Sequence, residues 1–271
     1  MTGPAEAFRR NFDLYNRPQE VAHWASLSDL QPPEAAILSL LGGRLSKSDM
    51  LDVGVGGGRS TRHFAPRVKS YLGGDLTPSM VDACRRGFPN LAFEVCDASK
   101  PLPYSDGSFD FVLFSYNGLD YLDSSGRATA LREFWRVLRP GGYLAFSSHN
   151  LNFFPALRRR RRPAWAFHPR RLAGGIQRWL RFVIHNRHVR SSPAVTEATV
   201  FEGQLGWKAP TFYIRPDRQL ALLQEQGWEE IRLFPNEGGT VPAIARDART
   251  IPDPWVYYLC RKPSKLTTAA E

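Results

Sequence analysis

Gly54, Gly56, Gly57 and Gly58 fall within five positions directly behind Asp52 and Val53, in the stretch LDVGVGGGRST. Glycine at this density lets a backbone adopt positive φ or come into contact with a bound group. A nucleotide is the group that most often asks this of a loop between strand and helix. The spacing excludes two nucleotide motifs. A dinucleotide fingerprint needs glycine at the sixth loop position counted from Gly54, where Arg59 stands. A Walker loop needs a Gly-Lys-Ser/Thr ending, and none follows. On these residues alone, a nucleotide site and a plain tight turn stay equally open.

Alternating short apolar runs and longer amphipathic ones set this loop in place. DMLDVGV reads as a buried strand, and a helix over about residues 60–66 follows the glycines. SYLGGDL, LAFEVCDA, FDFVLFSYN and YLAFSSHN read as strands two to five, and PSMVDACRRGF as a helix opened by proline. A helix over about residues 126–138 stops at RPGG. The pattern resumes with RPDRQLALLQEQGW as helix, then EEIRLFP and DPWVYYLCRKP as strands. The expected fold is α/β, Rossmann-like: a doubly wound, seven-stranded, mostly parallel sheet with helices on both faces. Residues 1–48 are expected to form a helical segment capping the site beside the glycine turn. The core comprises 49–151 and 211–263, an arginine-rich lid spans 152–210, and 264–271 is a disordered tail.

The 271 residues, 42% apolar and 23% charged, suit one globular domain with an insertion. Three well-separated cysteines, Cys84, Cys96 and Cys260, suggest reduced thiols. The opening MTGPAEAFRRNFDLYNRP has no apolar core of signal-peptide length, so a cytoplasmic protein is expected. Eleven of the 36 basic residues are arginines between positions 155 and 190, where no acid occurs, so the remaining 25 balance 26 acids. The net charge of +10 belongs to the insertion, not the fold.

LDVGVGGG, YLGGDLTPSMVDACR, CDASKPLPYSDGSFDFVLFSYNGLDYL and EFWRVLRPGGYLAFSSHN together resemble the class I S-adenosylmethionine-dependent methyltransferases, in the family's block order. The resemblance covers residues 49–150 closely and the later strands loosely. It implies S-adenosylmethionine as cofactor, with S-adenosylhomocysteine as product. Gly54, Gly56 and Gly58 would pass close to its methionine part, with Asp52 at the ammonium end. Asp75, with Leu76 beside it, would accept hydrogen bonds from the ribose hydroxyls. Met80 would lie against the adenine, Asp97 and Ala98 would read its edge, and Ser115 would line the floor. Tyr15 would close over the cofactor from the N-terminal segment, whereas Trp24 fits core packing. Caps and core packing are the structural alternatives for the acids and Met80.

Methyl transfer requires alignment of acceptor and cofactor and often removal of a proton. The ends of strands four and five therefore supply the remaining candidates. His149 is the candidate general base, because histidine ordinarily ionises near neutrality. Tyr116 joins it as a catalytic candidate, and Asn117, Tyr121 and Asn150 as substrate-binding ones. SSHNLNFF contains no carboxylate, so no metal is expected. In the insertion, Leu172, Ile176, Trp179, Leu180, Val183 and Ile184 share one helical face, with Arg178 and Arg181 outside it. This face is expected to pack on the core or a second subunit, giving a homodimer through the insertion. Arg178 is assigned to substrate, and the arginines favour an anionic acceptor. TEATVFEGQLGW and TFYI form a supporting hairpin.

The leading function is methyl transfer to oxygen or nitrogen of a small natural-product or sugar-like acceptor. Two alternatives stand beside it: an RNA methyltransferase using the arginines, and a non-catalytic protein binding cofactor or a membrane surface.

Overall fold

The computed structural model describes residues 12–13, 15–162, 169–189, 194–203, 207, 209–236, 241–242 and 245–264. The expected tail, from 265 on, lies outside them, as do parts of the insertion. Helices α1 (Pro18–Ser26) and α2 (Pro32–Leu41) precede the sheet. Proline starts both, and Gln31 and Glu34 close a reciprocal capping box on α2.

The alternation then runs β1 (Asp49–Val53), α3 (Thr61–Phe64), β2 (Ser70–Asp75), α4 (Pro78–Gly87), β3 (Ala92–Val95), β4 (Phe109–Phe114), α5 (Ser124–Val137) and β5 (Leu138–Asn150). Helices α6 (Phe154–Arg160) and α7 (Pro169–His185) and strands β6 (Glu197–Phe201) and β7 (Pro210–Ile214) make the insertion. The chain ends with α8 (Pro216–Glu225), β8 (Glu229–Pro235), the short β9 (Val241–Pro242), α9 (Ala245–Ala248) and β10 (Trp255–Arg261).

The seven expected strands lie in the order β3-β2-β1-β4-β5-β10-β8, with β9 beyond β8. The first five pair in parallel, and β10 runs antiparallel between β5 and β8. Buried side chains form one core on each face, around Phe134 and Phe146 on one side and Phe64 and Phe111 on the other. This two-sided burial is why FDFVLF reads as a continuous apolar run.

The sheet carries three strands more than expected. The β6–β7 hairpin forms in antiparallel register, but β7 also pairs in parallel with the end of β5, matching His149 to Tyr213. The insertion is thus hydrogen-bonded to the sheet. Its own core gathers Phe154, Phe182, Val200 and Tyr213. The expected apolar face of α7 is covered only in part, with Leu172, Trp179 and Val183 half-buried. Phe182, outside that stripe, is buried and anchors the helix, while Ile176, Leu180 and Ile184 stay exposed. No helix among the described residues is long and apolar enough to cross a membrane.

Candidate active site

The parallel strands end together, and their carboxyl ends open onto a cavity of about 320 Å³. The chain leaves β1 through the glycine turn, where each glycine has its own cause. Cβ atoms at Gly54 and Gly58 would meet the rings of Phe114 and Phe88 at 2.7 and 2.4 Å. At Gly57 a Cβ would lie 2.3 Å from the backbone nitrogen of Ala25, so α1 rests directly on this turn. Gly56, at φ +56°, opens onto free space in the cavity wall, leaving room for a bound group.

Asp75, at the end of β2, faces the same space and is almost fully buried. One oxygen accepts the Gly56 amide at 2.9 Å and the other the Thr77 amide at 2.8 Å. Burial nevertheless outweighs these bonds and raises its pKa. Leu76, Met80, Asp97, Ala98 and Ser115 also line the cavity, and Tyr15 covers it. Asp97 keeps its turn through Ser99, whose amide and hydroxyl donate to one carboxylate oxygen at 3.0 and 2.6 Å.

Asp52 and Gly58 stand behind the wall. Asp52 accepts from Ser60 at 2.6 Å and Tyr71 at 2.7 Å, and burial pushes its carboxyl up to about 6.

Trp24 lines the cavity with Tyr15, correcting the core-packing assignment. The ring centroids of Tyr15 lie 6.1 Å from both Trp24 and Tyr121, and Trp24 lies 5.3 Å edge-on from Tyr116. This aromatic cluster forms one end of the cavity. Two polar atoms in the wall, Trp24 Nε1 and Asn117 Oδ1, are buried with no hydrogen-bond partner. Such orphaned groups are costly unless a ligand or water meets them.

Tyr116 and Asn117 both take left-handed conformations, at φ 56° and 60°. Consecutive non-glycine residues there are strained, a mark of sites where a side chain must be aimed. Asn117 is held by its amide, which donates to Ser147 Oγ at 2.7 Å.

The turn leads to Asp120, which is fully buried and which the sequence reading did not single out. One carboxylate oxygen accepts from the His149 amide at 2.6 Å and lies 2.8 Å from its Nδ1. The other accepts from Ser148 at 2.6 Å and Arg127 at 2.5 Å. A carboxylate only accepts, so Nδ1 carries the hydrogen and Nε2 bears the lone pair. Asn117 Nδ2 is 3.5 Å from Nε2, and the Tyr213 ring stacks on the imidazole at 4.9 Å.

Two expected substrate residues lie outside the cavity wall. Asn150 spends its amide on the carbonyls of Ile251 and Asp253 at 2.8 and 2.9 Å, fastening β5 to the chain before β10. Arg178 is exposed on α7. Among the described residues no lysine or arginine lines the cavity, so the expected preference for an anionic acceptor finds no counterpart in its wall.

Arg59, met in the sequence only as a missing glycine, makes a paired contact with Glu34 at 2.5 and 2.6 Å. Ser115 bonds Glu34 as well, and Tyr257 Oη lies 3.1 Å from Glu34 and 2.9 Å from Ser115. This buried cluster ties α2, the glycine turn, the end of β4 and β10 beneath the cavity.

Residues 50–142 match the family model of a methyltransferase domain. Over this stretch the chain is similar to methyltransferase domains. Over 109 residues it is 38% identical to a demethylmenaquinone methyltransferase of Beutenbergia cavernae, covering 40% of this chain and 43% of that protein. Over 123 residues it is 32% identical to the biotin biosynthesis bifunctional protein BioHC of Cellvibrio japonicus, covering 45% and 24%. The chain thus spans less than half the length of these relatives. The fold is shared with a 1,6-didemethyltoxoflavin-N1-methyltransferase of Burkholderia thailandensis, solved with 1,6-didemethyltoxoflavin and S-adenosylhomocysteine. The TM-score is 0.59 at 15% identity, over 97% of this chain and 92% of that one.

Proposed function

We propose that this protein moves a methyl group from S-adenosylmethionine to an oxygen or nitrogen of a small, uncharged acceptor. One observation carries the reading: a single cavity is lined by the glycine turn and Asp75 and also by His149, whose Nδ1 is engaged by Asp120. The methyltransferase domain and the small-molecule methyltransferases it resembles support the same reading.

The residues present fit the cofactor. Gly56 leaves space for its methionine part, and Asp75 offers acceptors for two ribose hydroxyls. Met80 and the chain at Asp97 and Ala98 flank the place for the base. Bound there, S-adenosylmethionine supplies an electrophilic methyl on a sulfonium centre.

The chain's own task is to bind, orient and deprotonate. His149 Nε2 accepts the acceptor's proton while Asp120 holds the imidazole in the required tautomer and stabilises its charge. Asn117 and Trp24 offer an acceptor and a donor to the substrate's polar edge. Tyr15, Trp24, Tyr116 and Tyr121 cover its apolar faces and exclude water.

The deciding experiment is calorimetric titration of S-adenosylmethionine and S-adenosylhomocysteine into wild type and Asp75→Ala. Micromolar binding that is strongly weakened in the variant supports cofactor and site together. No heat and no thermal shift with either ligand would overturn the reading.

A further inference from the structure

The apolar stripe of α7 is the feature that this activity leaves unused. Ile176, Leu180 and Ile184 succeed one another at four-residue spacing, 40%, 45% and 61% exposed. The helix is held to the protein from another side, through Phe182, whose ring stacks on Phe154 at 5.9 Å. On α6, α7 and the turns that follow them, the exposed charge has one sign. Arg158, Arg159, Arg160, Arg161, Arg162, Arg178, Arg181 and Arg187 are all exposed. Among the described residues only Arg161 of this set meets an acid, Glu202 at 3.7 Å.

We infer that α6 and α7 form a docking surface for an anionic lipid bilayer. Aliphatic side chains that would lie between acyl chains, with arginines at the level of the headgroups, are what such a surface requires. The partner's charge must be negative, because the insertion offers no acid of its own between positions 155 and 190. A second copy fits worse, since pairing two such faces sets arginine runs against each other. A single-stranded nucleic acid is better held by exposed aromatic rings than by Ile and Leu. The inference stands apart from the reaction proposed above, since none of these residues lines the cavity.

The test is flotation of the full chain with phosphatidylcholine vesicles, with and without phosphatidylglycerol. Wild type, Leu180→Asp/Ile184→Asp and Arg158→Gln/Arg159→Gln/Arg160→Gln are compared. The expected result is binding to the anionic vesicles only, weakened by salt and by the arginine substitutions. The Asp pair should weaken it at least about tenfold with an unchanged melting temperature. Because both positions are exposed, the fold should tolerate the substitutions. No flotation at low salt, or flotation indifferent to the Asp pair, would overturn the inference. So would a wild-type dimer that the Asp pair dissociates while neither protein floats, or RNA retained where vesicles are not.

Discussion

Asp120 engages His149 twice through one carboxylate oxygen, at 2.6 Å from the backbone amide and 2.8 Å from Nδ1. The imidazole is therefore fixed in position and in tautomer by a single side chain. Replacing His149 with Gln should leave cofactor affinity within experimental error and lower kcat by about 10²–10⁴. Calorimetry and turnover on the same preparation separate the two effects. Equal loss of binding and turnover would count against a proton-transfer role.

The same carboxylate is neutralised by Arg127, with both side chains buried. Arg127→Met leaves Asp120 as an uncompensated buried charge, and we expect a loss of about 3–5 kcal/mol in denaturant unfolding. A loss below about 1 kcal/mol would mean that Ser148 and His149 satisfy Asp120 without the cation.

Gly57 offers a clean test of the contact between α1 and the glycine turn. Gly57→Ala puts a Cβ into the Ala25 backbone at 2.3 Å, whereas Gly43→Ala meets nothing within 4 Å. The first should weaken S-adenosylhomocysteine binding about ten- to hundredfold by moving Trp24 and Tyr15, and the second should not. Titration of both variants checks this.

Asp52 gives a pH signature. Burial pushes its folded carboxyl up to about 6, whereas unfolded it ionises near ~3.9. Between these values the folded state keeps a proton that the unfolded state has released. Asp52's contribution to stability is therefore full below ~3.9, is lost as pH rises through about 6, and is level above that. Asp52→Asn still accepts from Ser60 and Tyr71 and escapes this loss, which is at most about 3 kcal/mol. Its melting temperature relative to wild type should climb from about pH 4 to about pH 6 and then stay flat. A difference independent of pH would assign Asp52 another role.

Asp75, Met80 and the glycine turn were legible because each sits at a strand end or helix start that apolar runs mark out. Asp120 was not. Its partners Ser148 and His149 lie 28 and 29 residues away and meet it only because β4 and β5 pair. Arg59 likewise gains meaning only beside Glu34, 25 residues earlier. The stripe on α7 was visible as periodicity, but periodicity identifies an apolar face without saying what covers it. Here one ring outside the stripe, Phe182, decided the packing. Nor did any sequence cue announce that β7 would join the main sheet beside His149.

Tyr257 reaches Gln31, Glu34 and Ser115 from the middle of β10, at 3.0, 3.1 and 2.9 Å. As the ribosome extends the chain, the glycine turn, Asp75 and His149 all emerge long before this residue. Until β10 inserts, the edge of β5 it will cover is bare and the Glu34–Arg59 pair lacks the Tyr257 hydroxyl. The pocket is thus finished by a strand that lies far along the chain from the glycine turn. A nascent chain stopping short of residue 255 already holds the turn, Asp75 and His149, yet it lacks Trp255 of the cavity wall and the Tyr257 hydroxyl beneath it. Ligand capture is in this way tied to the emergence of β10, about two hundred residues after the glycine turn.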